Sequence, residues 1–296
     1  MPSDYAAITR HNEEQLGKDT ASRKSQVNMY SDFTHFIYEL LQNADDYNAT
    51  EVIFRLLSNE LIVEHNGIPF STNNVEAISY FGKSTSRDDL IKAGHFGLGF
   101  KSVFAFTATP IIHSGEEHFM IYDLYRLKGI SPPNDLRSMN TRICLPFNHE
   151  NEEPDYVERF TSSKEAFEKI SQRLKQLDMT TLLFTRNVRE IRWIVEGEEG
   201  HYLRDDPEKQ KFDAMFERRK TVITDGDKVE IYQVFARPVL WESKRHRPVE
   251  IAFEQNEEGN IIQAKGPLFV LFPTTVVTPD VNSGHETLSH AATCIA

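Results

Sequence analysis

Phe33, Phe36, Ile37, Leu40, Leu41 and Ala44 recur at i, i+3, i+4, i+7, i+8 and i+11, the stripe of a helix packed against a core. Glu39, Asn43 and Asp46 fall on the flank away from that stripe. At roughly 100° per residue they lie within about 60° of one another. The ordinary explanation for such a line of polar residues is a solvated face. After the helix, TEVIFRLLSNELIVEHNG alternates apolar and polar residues around Ser58-Asn59. This predicts a β-hairpin over residues 50–65, with the helix packed on its sheet.

The next fifty residues are rich in glycine, serine and short apolar clusters, which predicts an irregular segment interrupted by short helices. Residues 98–107, LGFKSVFAFT, read as a helix opening out of a glycine-rich loop. Strands are expected over 118–125 and 141–147. The charged connector NHENEEPDYVE marks a boundary near residue 150, and Phe167, Ile170, Leu174 and Leu177 then keep helical spacing. Beyond this the chain turns β-rich. REIRWIVEG alternates, and turns are expected at Asp225-Gly226 and Gly259-Asn260. The final stretch, TPDVNSGHETLSHAATCIA, has no usable periodicity and is a candidate for disorder. Two domains follow from this pattern: residues 1–150, and a β-rich domain over 151–296.

Length and charge narrow the partners. The 296 residues suffice for a sizeable core, and 33 lysines and arginines against 45 aspartates and glutamates give a net charge of −12. Such a surface repels phosphate backbones, so nucleic acid is not the default partner. Cys144 and Cys294 are too few for a disulfide framework or a thiolate zinc site, which fits a reducing, cytoplasmic setting. No apolar leader opens the chain and no stretch approaches 18 uninterrupted apolar residues, so a membrane partner is not expected. His113 and His118 stand five apart and read as surface residues.

GHFGLGF places glycines at Gly94, Gly97 and Gly99. Glycine lets backbone N–H groups approach an anion, and a helix N-terminus behind the loop adds favourable partial charge. A tight turn is the alternative. The order G-x-x-G-x-G reverses the dinucleotide fingerprint. Two near-matches to a P-loop each miss by one residue: Phe100 intrudes before Lys101-Ser102, and Ala77 stands where Gly82-Lys83-Ser84 would need a glycine.

ELLQNADD, VEHNGIPF and GHFGLGFKSVF, in that order, resemble the three motifs of the GHKL superfamily of ATPases. That superfamily includes type II topoisomerases, the ninety-kilodalton heat-shock chaperones, histidine kinases and MutL-type repair proteins. YSDFTHFIYELLQNADD, HNGIPF and FGKSTSRDD resemble most closely the N-terminal ATPase-like domains of sacsin and related large proteins, over roughly residues 20–147. The resemblance implies an α/β fold (an α+β two-layer sandwich of the Bergerat type) that binds ATP and Mg²⁺ under a lid. It implies that Glu39 is the general base, that Asn43 ligates Mg²⁺, and that Asp46 lies at the sugar and base side. Gly94, Gly97 and Gly99 would wrap the phosphates, with Phe96 and Phe100 packing the loop. Thr141 resembles the threonine behind the adenine and Lys83 a lysine near the lid. His65, followed by Asn66 and Gly67, stands where many relatives carry an aspartate that accepts a bond from the adenine amino group. Its role is either that of a base ligand or that of a hairpin-end histidine.

Two functions compete. One is an ATP hydrolase whose nucleotide state drives a chaperone-like conformational or dimerisation switch, with a protein partner or self-association. The other is a non-hydrolysing, ATP-gated interaction module. Glu39 favours the first, because a pure binding module needs no base there.

Overall fold

The computed structural model of the chain describes residues 2–16, 33–80, 99–133, 139–157, 159–213, 216–237, 240–241, 244–245, 249–262 and 293–295. Two compact units divide it: Met1–Leu177 with Arg186–Gly200, and Asp178–Thr185 with His201–Ala296.

The first unit is an α/β sandwich. In chain order it runs α1 (Tyr5–Leu16), α2 (Phe36–Asp46), β1 (Glu51–Leu56), β2 (Glu60–His65), α3 (Thr72–Ser79), β3 (Ile111–Ser114), β4 (Glu117–Tyr122), β5 (Arg126–Gly129), β6 (Thr141–Pro146), α4 (Ser163–Lys175) and β7 (Glu190–Val195). Its strands lie in the order β7-β1-β2-β6-β3-β4-β5. β7 runs parallel to β1, pairing Val52 with Ile191, and the remaining described pairs in this unit are antiparallel. The unit therefore extends past residue 150, because β1 takes its neighbour from beyond the charged connector.

The expected stripe of α2 is buried at Phe36, Ile37, Leu40, Leu41 and Ala44. Asn48, at φ +59, ends the helix. The Ala49 N–H returns to the Ala44 carbonyl (2.9 Å) and the Asn48 N–H to Asp45 (3.1 Å), the double closure of a left-handed C-cap. β1 and β2 form the expected hairpin, with Leu56 opposite Leu61. Val52, Phe54, Leu61, Val63 and His65 fall on the buried face. Glu64, between them in register, turns to the other face and pairs with Arg55 (3.3 Å) and Arg142 (2.9 Å).

Other expectations change. The helix expected over 98–107 is found over residues 99–105, α-helical at Gly99 and Phe100 and tightening to a 3₁₀ turn over Lys101–Ala105. Phe100, Val103, Phe104 and Phe106 are all buried, so packing around the whole segment, rather than one amphipathic stripe, sets its geometry. α1 had no signal in the apolar pattern, since Ile8 is its one buried apolar side chain among the described ones. Polar ties hold it instead: the Asn12 amide donates to the Tyr125 carbonyl (3.1 Å), and Tyr5 donates to Glu117 (2.6 Å). His113 and His118 are not a surface pair. They sit directly opposite each other across β3 and β4, with Nδ1 atoms 3.2 Å apart and His113 buried. Among the described residues no group of three or more metal-ligating side chains forms, and no helix is long and apolar enough to cross a membrane.

The second unit is β-rich. It contains most of β8 (Glu198–Asp213), then β9 (Phe216–Asp225), β10 (Lys228–Arg237), β11 (Leu240–Trp241), β12 (Lys244–Arg245), β13 (Val249–Gln255) and β14 (Thr293–Ile295). β8, β9, β10, β13 and β14 are neighbours in that order. The β9–β10 hairpin turns through Gly226-Asp227, with Gly226 at φ +57, and Gly259 sits at φ +83 in the later turn. Part of the tail read as a candidate for disorder is strand, since Thr293–Ile295 pairs with Glu250–Ala252. Buried arginines brace the unit. Arg204 donates to the Leu182 carbonyl (2.9 Å) and Asp206 (2.9 Å), and Arg219 forms a paired contact with Glu250 (2.9 and 2.8 Å).

Candidate nucleotide site

The polar flank of α2 is not a solvated face. Asn43 is 8% exposed, and its carboxamide Nδ2 is buried with no hydrogen-bond partner among the described residues. An orphaned buried amide is unusual and unfavourable, so it marks a place where a ligand would complete the fold. One turn earlier, Glu39 carries His35 beside it, Nδ1 to Oε1 3.6 Å. The carboxylate of Glu39 lies against Gly99: a Cβ added there would meet Oε2 at 1.9 Å and Cδ at 2.6 Å. A side chain at this position would force the carboxylate to move. Helix α2 and the last glycine of the loop thus face each other across Glu39.

Asp46 ends the same line and is exposed. Its neighbour Asp45, which sequence reasoning passed over, is buried. The Asp45 carboxylate accepts the backbone N–H groups of Arg186 (3.0 Å to each oxygen), Asn187 (2.7 Å) and Val188 (2.9 Å), and its carbonyl accepts the Asn187 side chain (2.8 Å). Adjacent aspartates thereby differ: Asp45 anchors the chain entering β7, and Asp46 is exposed. The 100° step between them was the available signal, since Asp45 falls off the Glu39–Asn43 line.

The hairpin end carries the next of the expected site residues. His65 is 4% exposed and lies opposite Thr141 of β6. Burial pushes its pKa down to about 4, so the ring is neutral at physiological pH. Its Nδ1 accepts the Gly67 N–H at 3.2 Å. Gly67 is required by close approach, because a Cβ there would meet the Tyr47 carbonyl oxygen at 2.8 Å and His65 Nδ1 at 3.0 Å. The Asn66 side chain is committed within the fold: its oxygen accepts the N–H groups of Thr50 (2.8 Å) and Glu51 (3.1 Å), and its amide donates to the Thr50 hydroxyl (2.8 Å). Asn66 also accepts at its carbonyl from Asn140 (2.9 Å). The Thr141 hydroxyl is 2.6 Å from that of Ser114, which in turn accepts the Phe70 N–H (2.9 Å).

Past Gly99, Phe100 is fully buried, and the Ser102 hydroxyl donates to the Gly99 carbonyl (2.5 Å). Lys101 is 1% exposed, with Nζ donating to the Leu124 carbonyl (2.5 Å) and lying 5.7 Å from the Phe104 ring centroid. Burial pushes its pKa down to about 7. In the sequence it stood only in a P-loop near-match that misses by one residue, and nothing in that pattern marked it as core. Lys83, Gly94, Phe96 and Gly97 lie outside the described residues.

Together these features give an α/β protein with a buried amide and a carboxylate one turn apart on one helix, the carboxylate lying against a glycine. Residues 20–128 match the family model described as the Sacsin domain, and over this stretch the chain is sacsin-like. It is 35% identical over 126 residues to the protein NO VEIN of Arabidopsis thaliana, covering 39% of this chain and 5% of that one. It is 32% identical over 155 residues to human sacsin, covering 45% of this chain and 3% of that one. The chain thus spans a small fraction of the length of these relatives. Among solved structures, the ATPase domain of MutL, the bacterial mismatch repair endonuclease of Aquifex aeolicus, matches at TM-score 0.31 and 15% identity over 76% of this chain and 80% of that one. A single-residue variant of that domain matches at TM-score 0.32 and 13% identity, covering 72% and 80%. These scores are too low to draw on.

Proposed function

We propose that the chain binds and hydrolyses ATP with Mg²⁺ as a GHKL-type module, and that its nucleotide state drives a conformational or self-association switch communicated to a protein partner. One observation carries the reading: Asn43 holds a buried carboxamide whose Nδ2 donor has no partner among the described residues, on the helix that also presents Glu39 to Gly99, and a phosphate oxygen would satisfy that donor or, with the carboxamide turned, its oxygen would face the metal. The donor set fits the group. A hard divalent cation prefers oxygen ligands and keeps several waters, so one carboxamide oxygen with phosphate oxygens suffices. Gly99 offers backbone where a side chain would otherwise block the carboxylate. Mg²⁺, when bound, would neutralise charge on the phosphates, and Asn43 would hold it. Glu39 would orient a water and take its proton at the carboxylate, while His35 limits where that carboxylate can swing. Asp46 would face the sugar, with His65 and Thr141 at the base. Lid closure by Gly94, Gly97 and Gly99, with Lys83, Phe96 and Phe100 beside them, belongs to the same reading.

Calorimetric titration with ATP and ADP, with and without Mg²⁺, tests it on the full chain and on Asn43→Ala. Metal-dependent binding that is lost in the variant is expected. Equal, metal-independent heats from both proteins would remove the site. Glu39→Ala should bind ATP and fail to turn it over. Tight binding with turnover at blank level in the unaltered chain would identify an ATP-gated interaction module instead.

A further inference from the structure

His113 and His118 are brought directly opposite each other on β3 and β4 by the two-residue turn Gly115-Glu116. The His118 N–H donates to the Tyr5 hydroxyl (3.0 Å) and its carbonyl accepts the Ile130 N–H (3.0 Å), both on the side away from β3. The histidines are therefore a non-hydrogen-bonded pair, the kind in which facing strands bring side chains closest, with Cα atoms about 4.5 Å apart. The tight turn and the Tyr5 and Ile130 contacts fix this arrangement before any ligand arrives.

Both rings turn Nδ1 toward the same point. The Nδ1 atoms are 3.2 Å apart, with ring centroids 5.3 Å apart and planes inclined at 48°. Two nitrogen lone pairs at this distance need a proton or a cation between them. A single shared N–H···N proton meets that need. So does a metal: two nitrogens bound to one tetrahedral zinc at about 2.05 Å stand roughly 3.3 Å apart. His113 is buried and His118 half-buried, so an ion reaches the pair from the His118 side. Arg142, opposite His113 on β6, is paired with Glu64 (2.9 Å), which offsets its charge. Among the described residues no third ligand joins them.

We propose that His113 and His118 chelate a divalent transition metal of the zinc, nickel or copper type through both Nδ1 atoms. Imidazole nitrogen suits these ions, whereas Mg²⁺ and Ca²⁺ seek oxygen, so this site is chemically separate from the Mg²⁺ site proposed at Asn43. Two protein ligands leave the remaining positions to water or to a donor from another molecule. The metal takes the place of the shared proton. The ring that held that proton at Nδ1 carries it at Nε2 instead, so both rings end as Nε2–H tautomers bound through Nδ1, with no net proton released.

Two measurements on the full chain test it, with zinc as the probe and Mg²⁺ present throughout. Calorimetry should show one ion bound by the unaltered chain and binding at least about tenfold weaker in His118→Gln. Long-range ¹H–¹⁵N spectra should show, without zinc, a proton on one of the two facing Nδ1 atoms; with zinc, both Nδ1 atoms should be bare and shifted and both Nε2 atoms protonated. The chain has 11 histidines, so assignment of the shifts to these two rings is decisive. Zinc that moves other histidines and leaves this pair unchanged overturns the proposal, as does equal affinity in a natively folded His118→Gln. Should that variant fail to fold, the spectra of the unaltered chain decide alone.

Discussion

Replacing Asp45 by alanine removes one buried carboxylate and strands the three backbone N–H groups it holds at Arg186, Asn187 and Val188. Hydrogen bonds to a charged acceptor contribute roughly 1.5–3 kcal/mol each, and the Val188 N–H is buried and cannot turn to water. The Arg186 end is exposed and recovers part of its loss by hydration. A destabilisation of about 3–5 kcal/mol follows, in the range for breaking a buried, charged hydrogen-bond network. For a unit of this size that corresponds to a fall in Tm of roughly 6–20 °C. Asp45→Asn keeps the shape and one acceptor oxygen and should fall between. The informative control is next door: Asp46→Ala, at an exposed position, should move Tm by about 1–2 °C at most. Thermal and denaturant unfolding of the three variants gives the answer. Asp45→Ala unfolding with the unaltered chain, or Asp46→Ala proving as damaging as Asp45→Ala, would refute the division of labour between the two aspartates.

Gly99→Ala should cut ATP turnover at least about tenfold without unfolding the chain, because the new Cβ displaces the Glu39 carboxylate; steady-state phosphate release with a circular dichroism check decides. His65 titrates near 4 in the folded chain against its ordinary 6.5. Between these values the unfolded chain binds a proton that the native one does not, so stability drops as pH falls through this window, by up to about 3 kcal/mol. Denaturant midpoints at pH 7, 5.5 and 4.5 measure it, and His65→Phe should flatten the slope. Lys101 obeys the same linkage higher up: pushed from 10.5 to about 7, it makes stability rise with pH between those values, by about 1.4 kcal/mol per unit. Lys101→Met should abolish that rise, and a pH dependence unchanged in the variant would contradict the burial of a neutral amine.

Where one periodicity dominated, the residues foretold the structure. α2, the β1–β2 hairpin, β4, β6, α4 and the β9–β10 turn all fall where apolar spacing and turn glycines put them. Where stability comes from non-local polar contacts, the pattern was silent. α1 is held by Asn12 and Tyr5 reaching residues more than a hundred positions away, and Asp45 by backbone about 140 residues on. The helix expected over 98–107 is present over residues 99–105, but its tightening to 3₁₀ at Lys101–Ala105 was not legible, because a segment buried on all sides has no face to lend it a period. At the site, the alignment of Glu39 with Asn43 was legible from helical geometry. The commitment of Asn66 to Thr50 was not, because a carboxamide after a hairpin looks the same whether it binds a ligand or the start of the preceding strand.

The parallel partnership of β1 with β7 bears on how this protein can be dissected. A gene shortened at codon 150, where the charged connector invites the cut, would yield a product missing the strand that flanks β1. Its sheet would finish in a bare, apolar lip of unsatisfied amides, an open invitation to stack against a neighbouring copy. Insolubility of such a fragment would report an amputated edge, and would carry no information about whether the nucleotide cleft is intact.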